Sequence, residues 1–181
     1  MSSLTEHKSG QPATAETRTI TVRVLCLGNE LLSDDSLGNI VAEHIRQFAP
    51  TDVEVISTPE SGFHLLDYVL DISRLVVVDT VVTGTCPPGT IYAFHDHELK
   101  AVPGGSPHYV GLYETVALAR QLGLPVAEEV ILLAVEATDC QTLGGVMHPA
   151  VLAAIPTLIN MVRDMVHVGT DELGVKRQAA A

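Results

Sequence analysis

The chain has no tryptophan, and aromatic residues make up only 4 % of its 181 residues. With so few rings, stacking platforms for single-stranded nucleic acid are scarce. Basic residues are also few: 10 Lys and Arg stand against 22 Asp and Glu, for a formal net charge of −12. Binding to nucleic acid or to anionic membrane surfaces depends on cationic neutralisation of phosphates, so neither is an expected partner. A basic segment of another protein suits this charge better. The three cysteines, Cys26, Cys86 and Cys140, are far apart and form no CxxC pair. They read as reduced thiols of a cytoplasmic protein rather than as a disulfide framework. Residues 1–18 contain no apolar core, so no signal peptide is expected. The longest apolar runs, 75–78 and 130–135, are far too short to span a bilayer, and no membrane insertion is expected.

Several catalytic signatures are absent as well. There is no HExxH for a zincin-type peptidase, no GxSxG elbow and no Cys-His protease signature. The first strand-to-helix turn reads CLGNEL, with Cys26 and Leu31 in the outer glycine positions of GxGxxG, which disfavours a dinucleotide site.

What is present is a hydrophobic content of 46 % in a chain long enough to bury a substantial core. Residues 1–18 read as a flexible leader. The β-branched stretch 19–27 predicts the first strand. Leu37, Ile40, Val41, His44, Ile45 and Phe48 recur at helical spacing, predicting a helix that stops before Pro50. A strand follows at 53–57. Glu60 or Ser61 opens a predicted helix to about residue 70, with Phe63, Leu66 and Leu70 on one face. The apolar run 75–79 predicts a strand covered on both faces and ending at Asp79. Pro87, Pro88 and Gly89 suit a type II turn. A strand at 90–94 follows too closely for a crossover helix, so it is expected to be the antiparallel exception. A loop through 103–108, a helix over 110–122 and a strand at 130–135 come next. The last helix begins near Pro149, with a kink or break expected at Pro156. The order βαβαββαβα predicts an α/β fold, a three-layer α/β/α sandwich with a mostly parallel sheet of about five strands. One domain, 19–168, lies between the leader and a tail at 169–181.

Three polar groups stand where such a fold concentrates chemistry, in loops at strand ends: the pair Asp34 and Asp35, then Asp79, then His108. Each has an ordinary structural reading. Carboxylates in a first helical turn complement the dipole and cap free amides, and a lone loop histidine is common. Asp79 is harder to explain this way, because a carboxylate after three valines is costly to bury unless it is paired, hydrogen-bonded or metal-bound. Two carboxylates and one imidazole would suit a divalent transition metal, with positions left for substrate or water. His95 and His97 read as an exposed polar turn, and His148 beside Pro149 as a helix cap.

The segment LGNELLSDDSLG (27–38) resembles the N-terminal signature of the nickel–iron hydrogenase maturation endopeptidases. So do VVVD (76–79) with the later Pro88-Gly89, and SPHYVGL (106–112). The resemblance spans roughly residues 20–165. Cys26 stands where many members have a glycine, Ser36 replaces a frequent glycine, TPESG (58–62) replaces a glycine-rich motif, and Ala137 stands where proline is common. The resemblance implies that Asp35, Asp79 and His108 are the metal-engaging and catalytic residues. It implies a substrate that is the nickel-loaded precursor of a [NiFe]-hydrogenase large subunit, whose C-terminal extension is removed. Nickel would be presented by that substrate, with zinc or cadmium able to substitute in vitro. Gly28 and Asn29 are expected to shape the turn that aims Asp35, and Glu60 is a candidate for lining the cleft. Two other readings remain open at this level: a nickel-dependent checkpoint or chaperone that holds the precursor without cutting it, and a nucleotide-binding α/β domain.

Overall fold

Strand β1 (Val22–Leu27) is the first regular element of the computed structural model, which describes residues 20–95, 98 and 111–167. It is followed by a short 3-10 turn (Asp34–Ser36), α1 (Leu37–Arg46), β2 (Val53–Thr58), a 3-10 segment (Gly62–Tyr68), β3 (Arg74–Val81), β4 (Ile91–His95), α2 (Leu112–Gln121), β5 (Glu129–Glu136) and α3 (Pro149–His167). The leader, the loop carrying His108, most of the His95–His97 turn and the tail lie outside the described residues.

The strands form one five-stranded sheet in the order β2-β1-β3-β5-β4. All pairs are parallel except β4 with β5: the link from β3 to β4 is too short for a crossover helix, so β4 returns opposite in direction to β3 and to β5, which is parallel to β3. Two arginines mark the register at the amino ends: Arg23 pairs with its cross-strand partner Glu54 at 2.7 Å, and Arg74 with Glu129 at 2.6 Å.

Alternation along the central strands splits the core into two layers. Val24, Cys26, Val76 and Val78 face α1 and α3, meeting Val41, Ile45, Leu158 and Val162. Leu25, Leu27, Leu75 and Val77 face the 3-10 segment and α2, meeting Leu65, Leu112 and Val116. This is the expected three-layer α/β/α sandwich.

Four expectations need correction. Strand β3 does not end at Asp79 but continues to Val81, because β5 pairs with it through Val81↔Glu136. The segment after β2 is a 3-10 helix whose buried anchor is Leu65, while Phe63 is 63 % exposed. Its first residue is held by α2, as Thr115 Oγ1 donates to the Gly62 carbonyl. His44 is exposed, with Nδ1 2.8 Å from the Ile40 carbonyl oxygen, so it does not belong to the buried stripe of α1. Helix α3 is not broken at Pro156. Proline leaves the Leu152 carbonyl without its helical donor, but both residues lie on the exposed face, where water can bond that oxygen. The apolar stripe Val151, Ile155, Leu158, Val162 and Val166, on both sides of the proline, packs on the core. Among the described residues this is the one helix long and apolar enough to cross a membrane, and that stripe packs inside the sandwich.

The type II turn is present as expected: Gly89 has φ +83°, and the Thr90 amide donates to the Pro87 carbonyl at 3.2 Å.

Candidate active site

The chain leaves β1 for β2 on one side, while β3 lies on the other. The carboxyl ends of β1 and β3 therefore bound the crevice in which open α/β sheets bind their ligands. Pairing between these two strands stops at Cys26↔Val78, so Asp79 and Thr80 are paired only with β5, at Ala134 and Val135. The loop after β1 fills the vacated side.

That loop is tightly folded. Gly28 has φ +144°, and a Cβ there would collide with the Asp35 carbonyl oxygen. A Cβ on Gly38 would collide with the Leu27 carbonyl oxygen. Only glycine lets the two ends of the loop approach so closely, and this approach returns Asp35 to the strand end. The Asn29 amide donates to Asp35 Oδ2 at 2.8 Å, while Asn29 Oδ1 accepts the Leu31 amide at 3.0 Å in an Asx turn.

Asp35 and Asp79 are both completely buried, and they meet at Thr80. The Thr80 hydroxyl donates to Asp35 Oδ1 at 3.0 Å, and its backbone amide donates to Asp79 Oδ1 at 2.7 Å. Cys140 completes the group, its thiol donating to Thr80 Oγ1 at 3.4 Å. The expected carboxylate pair is thus brought to one place. Thr80 and Cys140 were not expected there. A hydroxyl directly after Asp79 in a buried strand was the available signal, since such a group must be bonded.

Asp34 does something different from its neighbour. It does not cap its own helix but binds the β5–α3 loop. Oδ2 accepts the Thr138 amide (2.8 Å), the Thr138 hydroxyl (2.9 Å) and the Asp139 amide (3.0 Å), and Oδ1 accepts the His148 amide (2.6 Å). Burial pushes its carboxyl up, but these amides and the Thr138 hydroxyl outweigh burial and hold it below the usual carboxylate range. The same two loops are stitched by Ser33 N–H to the Thr142 carbonyl, Asp34 N–H to the Asp139 carbonyl, and a bridge between Leu32 and Leu143. His148 is the cap that was expected: its Nδ1 accepts the Ala150 amide at 3.2 Å.

A further buried carboxylate, Glu136 at the end of β5, accepts from the Thr83 amide and hydroxyl, the Gly84 amide and the Tyr92 hydroxyl at 2.6–2.8 Å. Burial raises its pKa, but these donors outweigh burial and hold it below the usual carboxylate range, so it too is anionic at neutral pH. Asp139 is held down to about 2 by the Thr142 hydroxyl and the Gln141 and Thr142 amides. The carboxyl edge of the sheet is therefore strongly acidic and favours a cation.

Glu60 is exposed; its amide donates to Thr58 Oγ1 at 3.2 Å, and its side chain interacts with Tyr68. It lines an open groove of about 430 Å³ with Phe63, His64 and Asp67. His108 lies outside the described residues, and among those residues no three His, Cys, Asp or Glu are grouped to hold a metal.

Burial also separates the three thiols. It pushes Cys26 and Cys140 up to about 12, while Cys86 is exposed. A thiol alkylating reagent at neutral pH is therefore expected to modify Cys86 alone in the native protein and all three after unfolding, as read by mass spectrometry. Rapid native labelling of Cys140 would contradict the closed packing around Thr80.

Known proteins share this chain's sequence pattern and fold. A family model, HycI (hydrogenase maturation protease), matches residues 39–165, a span that includes Asp79 and His108 and begins just after Asp35. The chain is 28 % identical over 145 residues to the hydrogenase expression/formation protein HupD of Bradyrhizobium diazoefficiens, covering 77 % of this chain and 74 % of that protein. It is 30 % identical over 106 residues to the hydrogenase 2 maturation protease of Escherichia coli, covering 56 % of this chain and 65 % of the relative. Among solved structures, the hydrogenase maturating endopeptidase HybD from E. coli superposes with a TM-score of 0.72 at 26 % identity, covering 81 % of this chain and 92 % of that one.

Proposed function

The chain belongs to the hydrogenase maturation protease family, and on that premise we propose that it removes the C-terminal extension of a nickel-loaded [NiFe]-hydrogenase large-subunit precursor. The observation that carries this reading is the meeting of Asp35 and Asp79 at the switch-point crevice, joined through Thr80. Nickel belongs to the substrate in this scheme and acts as the recognition element. Asp35 and Asp79, together with His108, are the protein's donors toward it; carboxylate oxygen and imidazole nitrogen suit a divalent transition metal. The acidic surroundings supply the long-range attraction, with Asp34 and Glu136 held as anions by their hydrogen bonds. A precursor without nickel lacks the ion that these donors engage, so it is passed over.

A protein substrate also fits the rim. Leu31 and Leu143, on the two stitched loops beside Asp34, are 59 % and 72 % exposed, an apolar edge suited to a docking polypeptide.

The test is incubation of the purified chain with nickel-loaded and nickel-free precursor. The loaded form is expected to shorten at its C-terminus, as read by intact mass, and the nickel-free form to stay whole. Stable binding without shortening would instead identify a checkpoint that holds the precursor.

A further inference from the structure

We infer that Thr80, oriented by the Cys140 thiol, is a positioning residue that holds the Asp35 carboxylate in its working orientation. The inference rests on the cleavage reaction proposed above.

Thr80 is fully buried in a strand whose neighbours are otherwise mostly valine. A hydroxyl in that setting is unfavourable unless it is bonded, and this one is bonded on both sides. It donates to Asp35 Oδ1 at 3.0 Å and accepts from Cys140 Sγ at 3.4 Å. With the thiol proton occupying its acceptor side, the hydroxyl proton is left to point at the carboxylate. The other oxygen of Asp35 accepts the Asn29 amide at 2.8 Å. The two donors approach opposite oxygens and so fix the rotation of the carboxylate about its Cβ–Cγ bond. The backbone amide of Thr80 meanwhile holds Asp79 Oδ1 at 2.7 Å. One residue thus sets two carboxylates relative to each other, one through its main chain and one through its side chain.

Thr80→Val removes the hydroxyl, and with it both the arm to Asp35 and the acceptor of the Cys140 thiol, but keeps the backbone arm to Asp79. Were Thr80 there for packing, valine in a valine-rich strand would be neutral or stabilising. As a positioning residue, its loss removes the donor to Asp35 Oδ1 while the Asn29 amide still holds Oδ2, and the carboxylate turns.

The experiment compares cleavage of nickel-loaded precursor by the native chain, Thr80→Val, Thr80→Ser, Cys140→Ala and the Thr80→Val/Cys140→Ala double variant. Thr80→Val is expected to lose about tenfold or more in kcat, the scale of a hydrogen bond to a charged group, with KM changed by less than about twofold. Thr80→Ser, which keeps the hydroxyl, is expected to recover to within about threefold of the native rate. Cys140→Ala is expected to lose a smaller factor, and the double variant to be no worse than Thr80→Val, since the thiol acts only through the hydroxyl. Independently of activity, the Asn29 amide proton resonance is expected to move in Thr80→Val and not in Thr80→Ser, because that amide bonds the same carboxylate.

A native kcat in Thr80→Val, or a loss in Thr80→Ser as deep as in Thr80→Val, overturns the inference. If the native chain does not cut the loaded precursor, the proposed reaction is what fails, and the Asn29 resonance still decides whether Thr80 positions Asp35.

Discussion

Asparagine in place of Asp35 or Asp79 is expected to reduce precursor cleavage by about a thousandfold or more, while each variant remains folded. The substitution preserves shape and removes the negative charge. At position 35 the carboxylate accepts from two sides, the Asn29 amide and the Thr80 hydroxyl. An amide side chain has one acceptor oxygen, which would stay on the Asn29 side and turn its NH₂ toward Thr80. The hydroxyl can rotate to accept that donor, but it then competes with the Cys140 thiol. The penalty is about 1–2 kcal/mol, against a typical domain stability of about 5–15 kcal/mol. At position 79 the asparagine oxygen can keep the Thr80 amide. Charge loss at the site therefore dominates over loss of structure. Intact-mass analysis of the precursor, beside thermal melts of each variant, separates the two effects. Cleavage at the native rate by both variants would remove these carboxylates from the mechanism.

The largest stability effect is expected one residue earlier. Asp34→Ala removes a buried acceptor from three backbone amides and one hydroxyl in two segments of the β5–α3 loop. Leaving such donors without a partner costs about 3–5 kcal/mol, discounted because Thr138 is exposed and water can reach its hydroxyl. For a chain of this size that is a fall in Tm of about 10 °C, read by calorimetry or chemical denaturation at neutral pH. The pH dependence follows from the lowered pKa of Asp34. In the folded protein the carboxylate holds off its proton to lower pH than in the unfolded chain. Its contribution is therefore complete above the ordinary aspartate pKa and disappears as pH falls through the depressed folded value. Glu136, also lowered, acts in the same direction. The native chain should lose stability steeply in acid, whereas Asp34→Ala should begin lower and fall less. A variant within about 1 kcal/mol of the native chain at neutral pH would show that the loop is held mainly by the backbone bonds of Ser33 and Asp34.

Asp34 and Asp35 show where local pattern stops being informative. Adjacent, chemically identical and both buried, they are indistinguishable by composition. In a 3-10 turn their side chains diverge, and one reaches Thr138, Asp139 and His148 while the other reaches Asn29 and Thr80. The resemblance to a known family singles out Asp35, but the reason Asp34 cannot share its role lies in residues more than 100 positions away. Asp79 was legible for a physical reason, since a charged group after three valines must be compensated. Its partner Thr80 carries a weaker signal, a hydroxyl directly after Asp79, because threonine is also an ordinary strand residue. Glu136 shares the signal of Asp79, a carboxylate closing an apolar run, and its compensating donors come from the loop after β3 and from Tyr92.

By itself the sequence determined what depends on neighbours along the chain. Apolar periodicity set the strands and helices, the Pro-Pro-Gly turn and the short link to β4 set the antiparallel edge, and the βα alternation implied a layered parallel sheet. Only the tertiary structure decided how far β3 runs, whether Phe63 or Leu65 is buried, whether Pro156 breaks α3, and which donors meet each carboxylate. These outcomes turn on where β1 stops alongside β3, on the space left beneath α2 and on which helix face meets water. All are relations between segments distant in the chain, which no local pattern encodes. The site exists because the pairing of β1 with β3 stops at Val78 while that of β3 with β5 runs on to Val81, which leaves the Asp79–Thr80 edge open to the loop that carries Asp35.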